Sequence, residues 1–228
     1  MTGTTTTIGE PTVRHDRYTW AARWYDALAF ERPVYRAGRL AGVAATRLAV
    51  GDRVLDLGCG TGLNLPLLQA ATGPTGSVVG LDRSEQMLAL ADRRAQQEGW
   101  STVHLVRADA TTVTPAELLG TGSGPGPARD GGPFDAVLCT YSLSLMPDWR
   151  TAWRTALAVT RPGGRLVVVD MARPTGAARL LTPLALLACR AGGADIDAHP
   201  WTAVADLDDV RSERLRGGHI EVWSGRRS

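Results

Sequence analysis

The stretch Arg53-Val-Leu-Asp-Leu-Gly-Cys-Gly-Thr-Gly62 is a short apolar run that closes on three glycines spaced G-x-G-x-G. A run of this length, bounded by turn residues, reads as a buried parallel strand. Leu63–Ala71 after it reads as a helix. In a strand–turn–helix unit the glycines relieve the tight turn and let ligand atoms approach the backbone. The amide-rich start of the helix favours a carboxylate or a phosphate. The spacing departs from the dinucleotide pattern G-x-G-x-x-G, because Leu63 stands where the third glycine would be. Asp56 lies just before the turn. An acid aimed at the ligand suits a cationic amino group and repels pyrophosphate.

Outward from this unit the alternation continues. Ser77–Asp82 is a second strand, and Ser84 is placed to cap a helix that runs to Glu98 and stops at Gly99. Val103–Ala108 is a third strand, and 114–119 a short helix. Phe134–Thr140 is a fourth strand, Arg150–Thr160 a helix, and Arg165–Asp170 a fifth strand after Arg161-Pro-Gly-Gly164. A helix is expected over 177–191. Two extended segments, near 206–215 and 219–226, flank Gly217-Gly218 and read as a hairpin. The fold class is α/β: a doubly wound, Rossmann-like, seven-stranded sheet, mostly parallel with an antiparallel last strand and helices on both faces. Such sheets bind ligands at the carboxyl ends of their strands. Asp82, twenty residues after Gly62, ends the second strand, where a carboxylate can accept from both hydroxyls of a ribose. Asp109 and Ala110 end the third, where a carboxylate can accept from an adenine amino group.

Composition narrows the chemistry. The net charge, 25 − 23 = +2, gives no footprint for nucleic acid. All 25 basic residues are arginine, which removes Schiff-base, P-loop and lysine-base mechanisms. Cys59, Cys139 and Cys189 are odd in number and widely spaced, so neither a disulfide framework nor a zinc site is expected. No histidine set has metal-ligand spacing, and no metal is expected. Residues 1–16 read as a flexible tail and lack an apolar signal core. The 17–228 remainder reads as one domain. Within it, 17–48 form an N-terminal helical lid carrying six of the thirteen aromatics, and 120–132 form a flexible Gly/Pro-rich loop. The apolar stretch Leu180–Cys189 is too short to span a bilayer, so a cytoplasmic protein is expected.

The motifs VLDLGCGTGLN, VVGLDRSEQML, RADA, FDAVLCTYSLSLMPDW and RPGGRLVVVD, in this order over roughly residues 50–171, resemble the class I S-adenosylmethionine (SAM)-dependent methyltransferases. The resemblance implies SAM as cofactor and S-adenosylhomocysteine as product. It places Gly58, Gly60 and Gly62, with Cys59 filling the turn, around the methionine part and Asp56 near its amino group. It sets Asp82 on the ribose, Arg83 and Met87 beside the adenine, and Asp109 and Ala110 at the adenine edge. Thr140 and Tyr141 fall near the sulfonium. A looser similarity, through Trp24-Tyr25-Asp26, Arg36, Arg39 and GGHIEVWSG, is to the bacterial phosphatidylethanolamine and quinone-biosynthesis methyltransferase groups. It implies that Tyr25 folds over the cofactor and that the acceptor is a small or lipid-like molecule. Leu180, Leu181, Leu184 and Leu187 then line a lid, touch a membrane surface or simply cover the sheet.

Methyl transfer is an in-line displacement that proximity and orientation can drive. A neutral amine acceptor needs little more, whereas a phenol or carbon acid usually needs a base. His104 falls inside a strand and His15 in the tail. His199 and His219 are the histidines whose positions could reach a pocket. Tyr25, Tyr141 and His199 form the candidate catalytic set, and N-methylation is favoured. A monomer or homodimer is expected. Three other readings stay open: aminocarboxypropyl transfer or cyclisation on the same cofactor, a non-catalytic binding partner, and a nicotinamide-dependent oxidoreductase.

Overall fold

A computed structural model of the chain describes residues 34–120 and 131–228. The proposed tail, the start of the helical segment at 17–48 and most of the 120–132 loop lie outside the described residues. Strands β1 (Arg53–Leu57), β2 (Ser77–Asp82), β3 (Val103–Arg107), β4 (Phe134–Thr140) and β5 (Thr160–Met171) pair in parallel. Strand β7 (Ile220–Arg226) is antiparallel to β5, and β6 (Asp208–Leu215) is antiparallel to β7. The order across the seven-stranded sheet is β3-β2-β1-β4-β5-β7-β6. The reversed strand is thus the last in the chain, and its hairpin partner forms the edge. That edge strand is exposed and carries Asp208, Asp209, Arg211, Glu213 and Arg214, charges that discourage edge-to-edge pairing.

Side chains alternate across the central strands. Leu55, Leu57, Val137, Cys139, Leu166 and Val168 join Trp149, Trp153 and Trp201 in one buried layer. Val54, Ala136, Leu138, Val167 and Val169 join Leu65, Leu68 and Ala91 in the other. Asp56 and Thr140 therefore lie on the second face, in step with Val54 and Leu138.

Helices α1 (Arg36–Thr46), α2 (Leu65–Thr72) and α3 (Glu85–Gln97) pack around the second layer. Helix α1 presents Gly38 and Gly42 to the sheet: a Cβ at Gly42 would lie 2.5 Å from a methyl of Val169. The missing side chains let the helix backbone lie close to β5. Ser84 caps α3 as expected, accepting from the Met87 amide. Helices α4 (Pro115–Leu118) and α5 (Trp149–Val159) belong to the other side.

The helix expected over 177–191 is two pieces, a 3-10 turn (Gly176–Leu181) and helix α6 (Thr182–Gly192). Pro183, with no amide hydrogen to give, sits in the first turn of α6. That is the helix position where proline is tolerated, so the α-helix starts there. None of the helices among the described residues is long and apolar enough to cross a membrane.

Candidate active site

Chain winding reverses between β1 and β4, the two central neighbours with consecutive partners on opposite sides. Loops leave the strand ends in opposite directions there and open a crevice. A cleft of about 540 Å³ occupies that position, lined among others by Gly58, Gly60, Asp82, Asp109, Thr140 and Tyr141.

Gly58, Gly60 and Gly62 all have positive φ, the region open to glycine without strain. Each does something different with its missing side chain. A Cβ on Gly58 would lie 2.4 Å from Cβ of Ser142, whose hydroxyl donates to the Leu57 carbonyl at 2.8 Å. That contact ties the β4 exit to the end of β1. A Cβ on Gly60 would meet nothing within 4 Å, so its backbone faces open cleft. A Cβ on Gly62 would strike Leu65 and Ala91; Gly62 serves the packing of α2 on α3 and does not line the cleft. Cys59 fills the turn over Gly80, 3.0 Å from where a Cβ of that residue would stand. Burial, then the nearby Asp56 and Asp82, push its thiol well above the usual range, so no thiolate nucleophile arises here.

Asp82 pins this loop. Its Oδ2 accepts from the Gly60 amide and its Oδ1 from the Ser84 amide, each at 2.9 Å. Burial raises its pKa, against the lowering effect of those amides. Each oxygen keeps a second lone pair for a ligand hydroxyl. Asp109 spends Oδ1 on the amide and hydroxyl of Thr111, which leaves Oδ2 as its acceptor. Met87, Arg83 and Ala110 line the same end of the cleft.

Beneath the glycine loop a polar chain runs from Arg39 through Asn64 to Asp56 and Thr140. Arg39 on α1 donates to Asn64 Oδ1 at 3.3 Å. Asn64 in turn donates to Asp56 Oδ1 at 3.0 Å and to the Thr140 hydroxyl at 3.3 Å. Asp56 is fully buried, and its Oδ2 has no hydrogen-bond partner among the described residues. Burial pushes the Asp56 carboxyl up to about 6, opposed by the Asn64 hydrogen bond and the Arg39 charge. Arg39 itself lines the cleft, with its guanidinium carbon 5.4 Å from the centre of the Tyr141 ring.

Tyr141 stands at the β4 exit with φ of 54°, a left-handed conformation uncommon for a bulky residue. Its amide donates to Val169 and its hydroxyl donates to the Tyr35 carbonyl at 3.0 Å. The two tyrosine rings meet edge to face at 5.0 Å. The ring of Tyr141 is therefore the part presented to the cleft. Next to it, Asp170 at the end of β5 is fully buried, accepting from the amide and hydroxyl of Ser144 and from the Met171 amide. Burial pushes it up to about 6 despite those bonds. It fixes the short turn Leu143–Leu145 that carries Leu145 to the cleft.

His199 is not brought into this group. It is exposed, in a left-handed conformation ahead of the Pro200–Asp206 turn, with its ring against Trp201. Proline at the next position and the Trp201 contact direct it outward. His219 is buried, with Nδ1 bonded to the Ala172 carbonyl. Tyr25 lies outside the described residues. Of the groups that sequence reasoning left unassigned, Asn64 was legible as the residue closing the glycine motif. Ser142, Ser144 and Asp170 carried no signal beyond strand-end position. Among the described residues, no group of acids, cysteines and histidines is arranged to hold a metal ion.

The orphaned carboxylate oxygen under the loop, the open space beside Gly60 and the carboxylates at the ends of β2 and β3 fit a ligand with an ammonium group, a ribose and an adenine. They are the parts of SAM. Comparison with known proteins agrees. Residues 48–191 match a family described as a methyltransferase domain. A demethylmenaquinone methyltransferase from Lactococcus lactis is 33% identical over 58% of this chain and 48% of its own. A 2-phytyl-1,4-naphtoquinone methyltransferase from Synechococcus elongatus is 38% identical over 54% and 48%. The chain thus spans about half the length of the curated relatives it matches. A solved SAM-dependent methyltransferase from Aquifex aeolicus shares the fold, at 15% identity and a TM-score of 0.59 over 92% of this chain and 98% of that one. The chain belongs to the methyltransferase domain family, within the class I SAM-dependent methyltransferases.

Proposed function

We propose that this chain transfers the methyl group of SAM to a small apolar acceptor and releases S-adenosylhomocysteine. The observation that carries the reading is the cleft at the carboxyl ends of β1, β2 and β4, where Asp82 holds the glycine loop open above a buried, half-unpartnered Asp56. In this reading the SAM ammonium group is attracted by Asp56 and its carboxylate lies toward Arg39. Asp82 takes the ribose hydroxyls, Asp109 and the Ala110 backbone the adenine edge, and Met87 and Arg83 the adenine faces. Thr140 and Tyr141 flank the transferred methyl group. Tyr25, outside the described residues, is assigned to the cofactor. When bound, SAM supplies an activated methyl group on sulfonium sulfur. The chain's part is to orient it, exclude water and hold the acceptor in line.

The acceptor we favour is a reduced ring of the naphthoquinone kind, because two relatives carry such substrates in their names. Ionised at its hydroxyl, its ring carbon takes the methyl group as the carbon–sulfur bond of SAM breaks, and the ring proton then passes to water. Leu145 and Met146 beside Tyr141 give that end of the cleft an apolar lining. An amine acceptor is the second reading. It rests on the ring of Tyr141, whose face already lies near a guanidinium and suits a methylated ammonium.

Calorimetric titration tests the cofactor. Wild type is expected to bind SAM and S-adenosylhomocysteine at one site. Asp82→Ala is expected to weaken both by about 2 kcal/mol, the cost of charged hydrogen bonds left unmade. Absence of binding to either compound overturns the reading. Transfer of labelled methyl from SAM to reduced naphthoquinones, compared with simple amines, then decides the acceptor.

A further inference from the structure

Helix α6 is apolar on both sides. Its inner side, Ala185 and Cys189, packs with Met171, Ala194 and Ile196 against Tyr141 and Leu145. Its outer side is Pro183, Leu184, Leu187 and Ala191, with Leu184 60% and Leu187 66% exposed. The preceding turn adds Leu180 at 88% and Leu181 at 58%. A helix that is apolar all round needs an apolar medium on its outer side. At eleven residues, about 16 Å long, α6 is too short to cross the roughly 30 Å of a bilayer core. It can only lie in the plane of one.

On the patch itself the charges have one sign; the acids that follow it are Asp195 and Asp197, the latter paired with Arg173. From Pro174 to Ala194 there is no Asp or Glu, and the only charged residues are Arg179 and Arg190. Neither is ion-paired among the described residues. Arg216 joins them, because the adjoining Gly217 carbonyl accepts from the Thr175 amide. A second copy of the chain would bring the same arginines to the contact and no carboxylate to match them. A surface of anionic lipid supplies both the apolar medium and the opposite charge.

We propose that the Leu180–Ala191 face docks on an anionic lipid bilayer, with Leu180, Leu181, Leu184 and Leu187 inserted and Arg179, Arg190 and Arg216 at the headgroups. Tyr141 and Leu145 line the cleft on one side and touch the inner side of α6 on the other. The docked helix therefore sits one side-chain layer from the cleft, and an apolar acceptor dissolved in the bilayer has a short path to it.

Flotation with vesicles tests this on the full chain. Wild type should float with phosphatidylglycerol–phosphatidylcholine vesicles, much less with phosphatidylcholine alone, and release in high salt. Leu184→Glu with Leu187→Glu should cut flotation at least about tenfold. Arg179→Gln with Arg190→Gln should cut it on the order of fivefold per arginine, on anionic vesicles only. Both variants should melt and bind SAM as wild type does, since these side chains are exposed. Wild type that floats with neither vesicle overturns the proposal, as does a leucine variant that floats unchanged. So does a wild-type dimer, seen by sedimentation, that the leucine variant splits. A leucine variant of lowered melting temperature, with no flotation by wild type, would assign the face to another part of the chain. Failure to bind SAM would count against the proposed methyl transfer and leave the flotation result standing.

Discussion

Asp56 and Asp170 are both fully buried, and both are pushed up to about 6 by burial. They differ in how their oxygens are used, and so in what an amide does in their place. Asp56 keeps one unpartnered oxygen. Asp56→Asn removes a buried charge at neutral pH, worth up to about 3 kcal/mol for a shift of roughly two pK units. It leaves in exchange an amide hydrogen unsatisfied, at roughly 1 kcal/mol or more. The melting temperature at pH 7.5 should therefore rise, while SAM affinity falls at least about tenfold because the ammonium group loses its counter-charge. In wild type, affinity should hold above pH 6 and fall by up to about tenfold per unit below it, as the carboxyl must shed its proton to bind. Calorimetry between pH 5 and 8 reads this directly. At Asp170 every acceptor is matched to a donor, so Asp170→Asn must turn its NH₂ toward an amide or a hydroxyl. The same relief of up to about 3 kcal/mol applies, but three charge-assisted hydrogen bonds at about 1.5–3 kcal/mol each are lost or turned into clashes, so a net loss of about 1–3 kcal/mol in chemical unfolding is expected at pH 7.5. A variant as stable as wild type would show that the Ser144 contacts carry no weight.

Among elements, α1 illustrates how two opposing small effects are ranked. Alanine in place of Gly42 improves helix propensity by about 1 kcal/mol. It also drives a methyl to within 2.5 Å of Val169, buried at the centre of β5 with no room to retreat. Overpacking at such a site costs about 1–3 kcal/mol, so Gly42→Ala should lower the unfolding free energy by about 1 kcal/mol. An increase would mean that the helix stands off the sheet. The strands were legible from apolar runs ending in glycine or acid, and β4 keeps the expected bounds at both ends. The glycine face of α1 was not legible, because a helical glycine announces a close approach only once its neighbour is known. Nor was the break before α6. Local pattern runs through Leu180–Cys189, and only the missing amide hydrogen of Pro183 decides where the helix begins.

For the molecule as a whole, Asp56 and Asp170 set the direction of one part of the stability–pH curve. Their pKa values in the folded state lie above the ordinary aspartate value of 3.8. The folded protein therefore holds more protons than the unfolded chain between about pH 4 and 6. Their contribution is greatest at the acid end of this window, declines as pH rises through it and levels off above about 6. Exposed Asp148, Asp197 and Asp209 are shifted downward by hydrogen bonds and act in the opposite sense. Their solvent exposure leaves the buried pair dominant. Thermal melts should show stability near pH 5 equal to or above that at 7.5. The double variant Asp56→Asn, Asp170→Asn should flatten the slope, and a wild type that loses stability steadily from pH 7.5 to 5 would contradict the assignment. The carboxylates that line the cleft were legible as strand-end acids beside a glycine turn. The apolar end of the cleft was not, because Tyr35, the Tyr141–Leu145 stretch and the buried side of α6 come from three separate segments and share no local pattern.

All three cysteines are free and buried, at three different addresses: within the glycine loop, within β4 and on the inner side of α6. A native sample mixed with a thiol-alkylating reagent will therefore react only as fast as each region opens. Mass spectrometry of the modified peptides turns the chain into its own three-channel stopwatch. Cys59 should slow when the cofactor is added, Cys189 should slow when vesicles are added, and Cys139 should wait for the whole sheet to come apart.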